Sequence, residues 1–151
     1  GKYFHIWKFS TMVNDAEKLL ADLEAKNEIK DGVLFKMKND PRVTKIGKFL
    51  RAYSLDELPQ IFNVLFGEMS LVGPRPLPIR DVDKFARKHF IRQEVLPGIT
   101  GLWQVSGRSD IENFEEGVKL DMNYIENWSL WLDLKILFST VRVVIQKSGA
   151  Y

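Results

Sequence analysis

Cysteine is absent from these 151 residues, and histidine occurs twice, as His5 and His89. The first absence rules out a disulfide framework and suits a cytoplasmic protein; the two together leave too few ligands for a zinc centre. Charge of one sign is lacking too: 22 Lys and Arg against 20 Asp and Glu leave a net +2. That is far below the positive density of a nucleic-acid binder, although a weakly basic face suits an anionic lipid surface. No uninterrupted apolar run of bilayer-spanning length and no signal peptide is visible in these residues. The most apolar stretch, residues 128–145, is broken by Asp133, Lys135 and Arg142, charges that a spanning helix carries only at a cost. Internal repeats, low-complexity tracts and flexible linkers are likewise missing.

What is present is 45% hydrophobic and 28% charged, enough for one buried core and too apolar for disorder. One domain over residues 1–151 is expected. Periodicity predicts an α+β fold, predominantly helical with short strands. Residues 3–9 alternate as a short strand, and Asn14-Asp15 opens a helix with Ala16, Leu19, Leu20 and Leu23 on one face. Asp31-Gly32 marks a turn before a strand at 33–37, and residues 44–53 form a short basic helix. Residues 81–94 read as one polar helix with a solvated face, and 110–127 as another helix. In the final helix Leu130, Leu134, Leu137, Val141 and Val144 form the core stripe, while Trp131, Phe138 and Ile145 are left for a second apolar surface, toward the core or a membrane interface.

The most informative run is Ser54-Leu55-Asp56-Glu57-Leu58-Pro59-Gln60, which sets two adjacent carboxylates at the entrance to an apolar helical pattern. Leu58, Ile61, Phe62, Leu65 and Phe66 follow at i, i+3, i+4, i+7 and i+8, a stripe that a helix gathers onto one buried face. Asp56 and Glu57 are the catalytic candidates. A plainer reading stands beside that one: Ser54 with Glu57 three residues on is a capping box, which needs no chemistry. The flanks favour chemistry. Arg51 precedes the acids, Gly73-Pro74-Arg75-Pro76 fixes an arginine between two prolines, and residues 97–109 bring glycines, hydroxyls, an amide and Arg108 into one loop-rich segment, groups that bind phosphate or sugar.

Together with Lys8-Phe9-Ser10-Thr11-Met12, Asp40-Pro41-Arg42-Val43-Thr44, Ser70-Leu71-Val72-Gly73-Pro74-Arg75-Pro76, Pro97-Gly98-Ile99-Thr100-Gly101 and residues 128–133, these motifs resemble, in order and over essentially the whole chain, the bacterial sugar transferases. These are the monotopic phosphoglycosyl transferases, or polyprenyl-phosphate hexose-1-phosphate transferases. The resemblance implies transfer of a sugar 1-phosphate from a UDP-sugar to a polyprenyl phosphate such as undecaprenyl phosphate, at the cytoplasmic leaflet of a bacterial inner membrane, initiating surface polysaccharide or glycoconjugate assembly. It implies Asp56 as the nucleophile that forms a covalent phosphosugar adduct, and carries Lys8, Arg51 and Asp133 into the site. Arg75 is the expected clamp on the nucleotide or transferred phosphate, since a planar fork grips phosphate oxygens in pairs.

A carboxylate attacking a diphosphate needs its own charge and the phosphate charge offset together. Mg²⁺ at Asp56 and Glu57 is the expected ion, because its hard oxygen preference suits carboxylate plus phosphate. Two departures stand out. Ser10 occupies a position where the family usually has arginine. Family members also enter this domain from a hydrophobic segment that dips into the membrane, and this chain, opening at Gly1, is expected to be the catalytic domain without it, membrane-associated in the full-length form. The competing readings are a non-catalytic nucleotide-sugar-binding or assembly module, and a metal-dependent diphosphatase.

Overall fold

The computed structural model describes residues 2–23, 37, 39–107 and 114–146. Among the described residues seven helices and two strands run in the order α1 (Ala16–Leu23), α2 (Lys45–Ala52), α3 (Gln60–Leu65), β1 (Ser70–Val72), α4 (Ile79–Val82), β2 (Gly98–Thr100), α5 (Leu102–Val105), α6 (Phe114–Glu126) and α7 (Leu130–Ile145). The 3-10 segments Leu55–Glu57 and Arg87–Gln93 lie between α2 and α3 and between α4 and β2. This is the predominantly helical α+β architecture read from the pattern.

The sheet is two parallel strands, Ser70 opposite Gly98 and Val72 opposite Thr100. Its strands approach so closely that a Cβ on Gly98 would lie 2.1 Å from the Gly73 nitrogen, a spacing only glycine tolerates. On this sheet pack α5, α6 and α7. Val72, Tyr124 and Ile136 form one core cluster with Leu102, Val105, Ile125, Leu132 and Leu137 around it; Trp103, Phe114 and Val118 form a second with Leu77, Phe85, Leu120 and Met122. Thr44 caps α2 by accepting the Gly47 N–H at 2.9 Å. Gly47 in turn lies flat against the Thr11 carbonyl, where a Cβ would come within 2.0 Å. This contact sets α2 against the N-terminal segment.

Several expectations are corrected. Residues 3–9 are irregular, not a strand, because their backbone groups bond to the Asn63 side chain and the Asp56 carbonyl instead of a neighbouring strand. Residues 81–94 are not one solvated helix. The chain breaks after α4 and resumes as the 3-10 segment, whose period of three puts His89 and Arg92 on one face, and that face is buried. The stripe on α3 is inverted: Leu58, Ile61, Phe62, Leu65 and Phe66 are exposed, and the residues that face inward are Gln60 and Asn63. In α7 the buried residue is Ile136, flanked by Leu132 and Leu137, while Leu130, Leu134 and Val141 join Trp131, Phe138 and Ile145 outside. A helix apolar nearly all round gives a period that does not choose its core face; here the choice falls to polar contacts, Thr140 meeting Thr100 at 2.7 Å and Asp133 meeting Tyr124 at 2.9 Å. The strand expected at 33–37 falls, but for Met37, outside the described residues, as does the start of the helix expected at 110–127.

Candidate active site

Three pieces of chain meet at the acids. The 3-10 turn Leu55–Glu57 carries Asp56 and Glu57, both buried. The chain enters it through Ser54 at φ 53°, a left-handed conformation that costs a non-glycine residue about 1–2 kcal/mol. The serine makes no side-chain cap hydrogen bond, so the expected capping box does not form; the Glu57 carboxylate turns to two cations instead. The dyad also stands before α3, separated from it by Leu58 and Pro59, rather than in its first turn.

Lys8 is delivered by the irregular N-terminal segment and fixed from both sides. The Trp7 N–H donates to Asn63 Oδ1 at 3.1 Å, and the Phe9 N–H donates to the Asp56 carbonyl at 3.0 Å. Asn63, fully buried, spends its amide nitrogen on the His5 carbonyl and the Glu68 carboxylate, each at 2.7 Å. Arg75 is delivered by the turn after β1, where the Gly73 N–H donates to Thr100 and the Gly98 N–H donates to Pro74, both at 2.9 Å.

The result is one network of two acids and two cations. Lys8 Nζ lies 3.1 Å from Glu57 Oε1 and 3.6 Å from Asp56 Oδ2. Arg75 places Nη2 2.7 Å from Glu57 Oε1 and Nη1 3.4 Å from Oε2. Burial by itself would lower the Arg75 pKa; the Glu57 carboxylate, with Asp56 behind it, outweighs that and raises it above the ordinary guanidinium value. The two acids are not equivalent. Among the described residues Glu57 is engaged by both cations, whereas the one ion-pair contact of Asp56 is the long one to Lys8, and its side chain keeps 8% of its surface open. A buried carboxylate that accepts no hydrogen bond retains lone pairs for an incoming electrophile, and the adjacent cations offset the charge such an electrophile brings.

Of the residues singled out in the sequence, then, Lys8, Asp56, Glu57 and Arg75 come together. Arg51, one turn earlier, donates through Nε to Thr11 Oγ1 at 3.0 Å. Asp133 accepts from the Tyr124 hydroxyl at 2.9 Å and Trp128 Nε1 at 3.2 Å, tying α6 to α7; burial and this acid push the Tyr124 phenol up. Neither contact joins the dyad, and Arg108 lies outside the described residues. The sequence reading missed Asn63, the residue that holds the Lys8 segment. Its signal was an asparagine, a poor helix former, set inside an apolar stripe.

Among the described residues no group of three or more His, Cys, Asp or Glu converges to hold a metal ion, so no all-protein cage is offered. Two carboxylates do fit the way Mg²⁺ binds, taking one or two acids and completing its shell with water and substrate phosphates. Asp56 has the open oxygen for this; Glu57, the neighbouring acid, would reach the ion by giving up part of its grip on Lys8 or Arg75.

A model of the bacterial sugar transferase family matches residues 1–147. The chain is 49% identical over 150 residues to galactosyl transferase CpsE of Streptococcus agalactiae, covering 99% of this chain and 33% of that protein. It is 45% identical over 161 residues to the UDP-glucose:undecaprenyl-phosphate glucose-1-phosphate transferase of Klebsiella pneumoniae, covering 100% of this chain and 31% of that one. Exopolysaccharide production protein ExoY of Sinorhizobium fredii is 40% identical over 156 residues, 100% of this chain and 68% of that protein. The chain thus spans about a third of the first two relatives and two-thirds of the third.

Proposed function

The chain belongs to the bacterial sugar transferase family, and on that premise we propose that it carries the catalytic site of a polyprenyl-phosphate sugar-1-phosphate transferase acting through an aspartyl intermediate. The observation that supports this most is the asymmetry of the dyad: Glu57 is saturated by Lys8 and Arg75 while Asp56 is left with open capacity.

In the first displacement an Asp56 carboxylate oxygen attacks the sugar-linked phosphorus of the UDP-sugar. The P–O bond to the nucleotide breaks, UMP leaves with the electron pair, and an acyl phosphate joins the sugar phosphate to Asp56. In the second, an oxygen of the polyprenyl phosphate attacks the same phosphorus and the Asp56 carboxylate is the leaving group, giving a polyprenyl diphosphate sugar. Lys8 and Arg75 neutralise the phosphate oxygens, the arginine fork exchanging part of its grip on Glu57 for the substrate. Glu57 holds both cations in register before substrate arrives. Mg²⁺, drawing on Asp56 and Glu57, would supply further neutralisation of the diphosphate.

A membrane interface is the proposed working place. No helix among the described residues is long and apolar enough to cross a bilayer, but α3 presents Phe62, Leu65 and Phe66, and α7 presents Trp131, Phe138 and Ile145, to the outside. On α2, Ile46 and Phe49 alternate with Lys45 and Lys48, a pairing suited to an anionic interface. The test is to supply the full-length protein with Mg²⁺, undecaprenyl phosphate and UDP-glucose or UDP-galactose. UMP and a lipid diphosphate sugar in equal amounts are expected. UMP with free sugar phosphate and no lipid product would replace the transferase reading with a diphosphatase, and binding without UMP would replace it with a binding module.

A further inference from the structure

Arg92 takes no part in the ion network, yet it is among the most constrained cations in the molecule. Its side chain is 4% exposed. Nε donates to Asp121 Oδ2 on α6 at 2.6 Å, and Nη2 donates to the main-chain carbonyl of Arg75 at 3.0 Å. The guanidinium carbon sits 5.4 Å from the Trp103 ring centre, 5.6 Å from Phe114 and 6.0 Å from Phe85. Asp121 is fully buried and, among the described residues, its other oxygen, Oδ1, has no hydrogen-bond partner, so its charge rests on Arg92.

This places Arg92 last in a series of clamps on the turn that carries Arg75. The Gly73 N–H and the Pro74 carbonyl are held by β2, and Pro74 itself is fully buried. The Arg75 carbonyl is held by Arg92. Three consecutive residues are thus pinned through their backbone, and the one beyond reach of the sheet is pinned by a charged fork. Only then does the Arg75 side chain reach the 2.7 Å contact with Glu57. The planar fork holds a carboxylate and a carbonyl with two donors at fixed separate positions; a lysine ammonium is a single point on a flexible stem and fixes neither direction as rigidly.

We infer that Arg92 is a positioning residue for the transfer reaction, acting through the Arg75 main chain to aim the phosphate-binding guanidinium, with Asp121 as its anchor. The inference rests on the proposed transferase reading. A buried ion pair that served only the fold would change stability when altered and leave turnover per folded molecule alone. Misaim of a clamp changes turnover, and an error near 1 Å can cost about 100-fold.

The experiment is a double-mutant cycle in the full-length protein, following UMP release with UDP-glucose or UDP-galactose, Mg²⁺ and undecaprenyl phosphate, well below each variant's Tm. Arg92→Lys alone is expected to lower turnover about 10- to 100-fold. In an Arg75→Lys background, the same Arg92→Lys change is expected to cost less than about twofold, because the group it aims is already lost. Equal losses in both backgrounds, or full turnover in a folded Arg92→Lys protein, would overturn the inference. Should Arg92→Lys fail to fold, Asp121→Asn passes through the same cycle and decides by the same criterion. Wild-type protein that releases no UMP would instead sink the transferase reading, a failure distinct from additivity within an active enzyme.

Discussion

Two acid–base clusters in this molecule use the same residue types to opposite ends. In the first, Asp40 takes the Arg42 backbone N–H at 2.9 Å, Nε at 2.9 Å and Nη2 at 2.6 Å, while Arg42 Nη1 reaches the Ala16 carbonyl at 3.3 Å. Both residues are buried and neither carboxylate oxygen is idle. The cluster closes on itself and ties the chain before α2 to the start of α1. In the second, around Asp56 and Glu57, one acid absorbs both cations and the other is left with a single contact of 3.6 Å. A saturated pair holds a fold; an unsaturated acid beside saturated neighbours has capacity left for substrate. The difference lies in how each carboxylate's partners are counted, not in how deeply it is buried.

The sharpest way to break that comparison is at the open acid. Asp56→Asn is expected to lower turnover by at least about 10³-fold, the scale on which nucleophiles are lost, while Tm stays level or rises, since one of two adjacent like charges is removed. UMP release and calorimetry check the two halves. Asp40→Ala is expected to do the reverse. It takes the bidentate carboxylate away from a buried guanidinium, at a cost of about 3–5 kcal/mol, read as a lowered Tm, with turnover per folded molecule unchanged.

Arg75→Lys retains charge but gives up the paired grip, and a loss near 100-fold in turnover is expected. The pH dependence sharpens the contrast further. Arg42 holds the Asp40 carboxyl below its ordinary value of 3.8. A depressed pKa contributes stability that is present above 3.8 and lost as pH falls through the folded value. Wild-type Tm is therefore expected to fall more steeply below pH 3.8 than that of Asp40→Asn, and parallel curves would contradict it. Smallest of all, Lys18→Ala removes an exposed i,i+3 pair with Asp15 at 2.8 Å and is expected to shift stability by no more than about 0.5 kcal/mol.

How much of this was legible in the sequence divides along a physical line. Asp56, Glu57 and Arg75 stood out because adjacent acids and a proline-fixed arginine are locally unusual, and their meeting needed only the turn after β1. Lys8 was legible through the family's lysine-phenylalanine motif; from composition alone a lysine in an irregular segment reads as solvated. Arg92 was read as part of a solvated helical face, because a period of 3.6 was assumed where the chain adopts 3-10 geometry that turns His89 and Arg92 inward together. The faces of α3 and α7 were misread for a related reason. Hydrophobic periodicity reports that one side differs from the other, and says nothing about whether the apolar side meets the core or an external surface. In α3 the inward positions belong to Gln60 and Asn63, and the burial of Asn63 is explained by partners remote in sequence, Trp7 and His5, together with Glu68.

The open carboxylate of Asp56 is tested most directly by intact mass spectrometry after incubation with a UDP-sugar and Mg²⁺ without lipid acceptor. An increment equal to one sugar phosphate is expected on the wild-type protein, absent from Asp56→Asn and discharged on adding undecaprenyl phosphate. An increment that persists in Asp56→Asn, or transfer to lipid by that variant at the wild-type rate, would contradict the account.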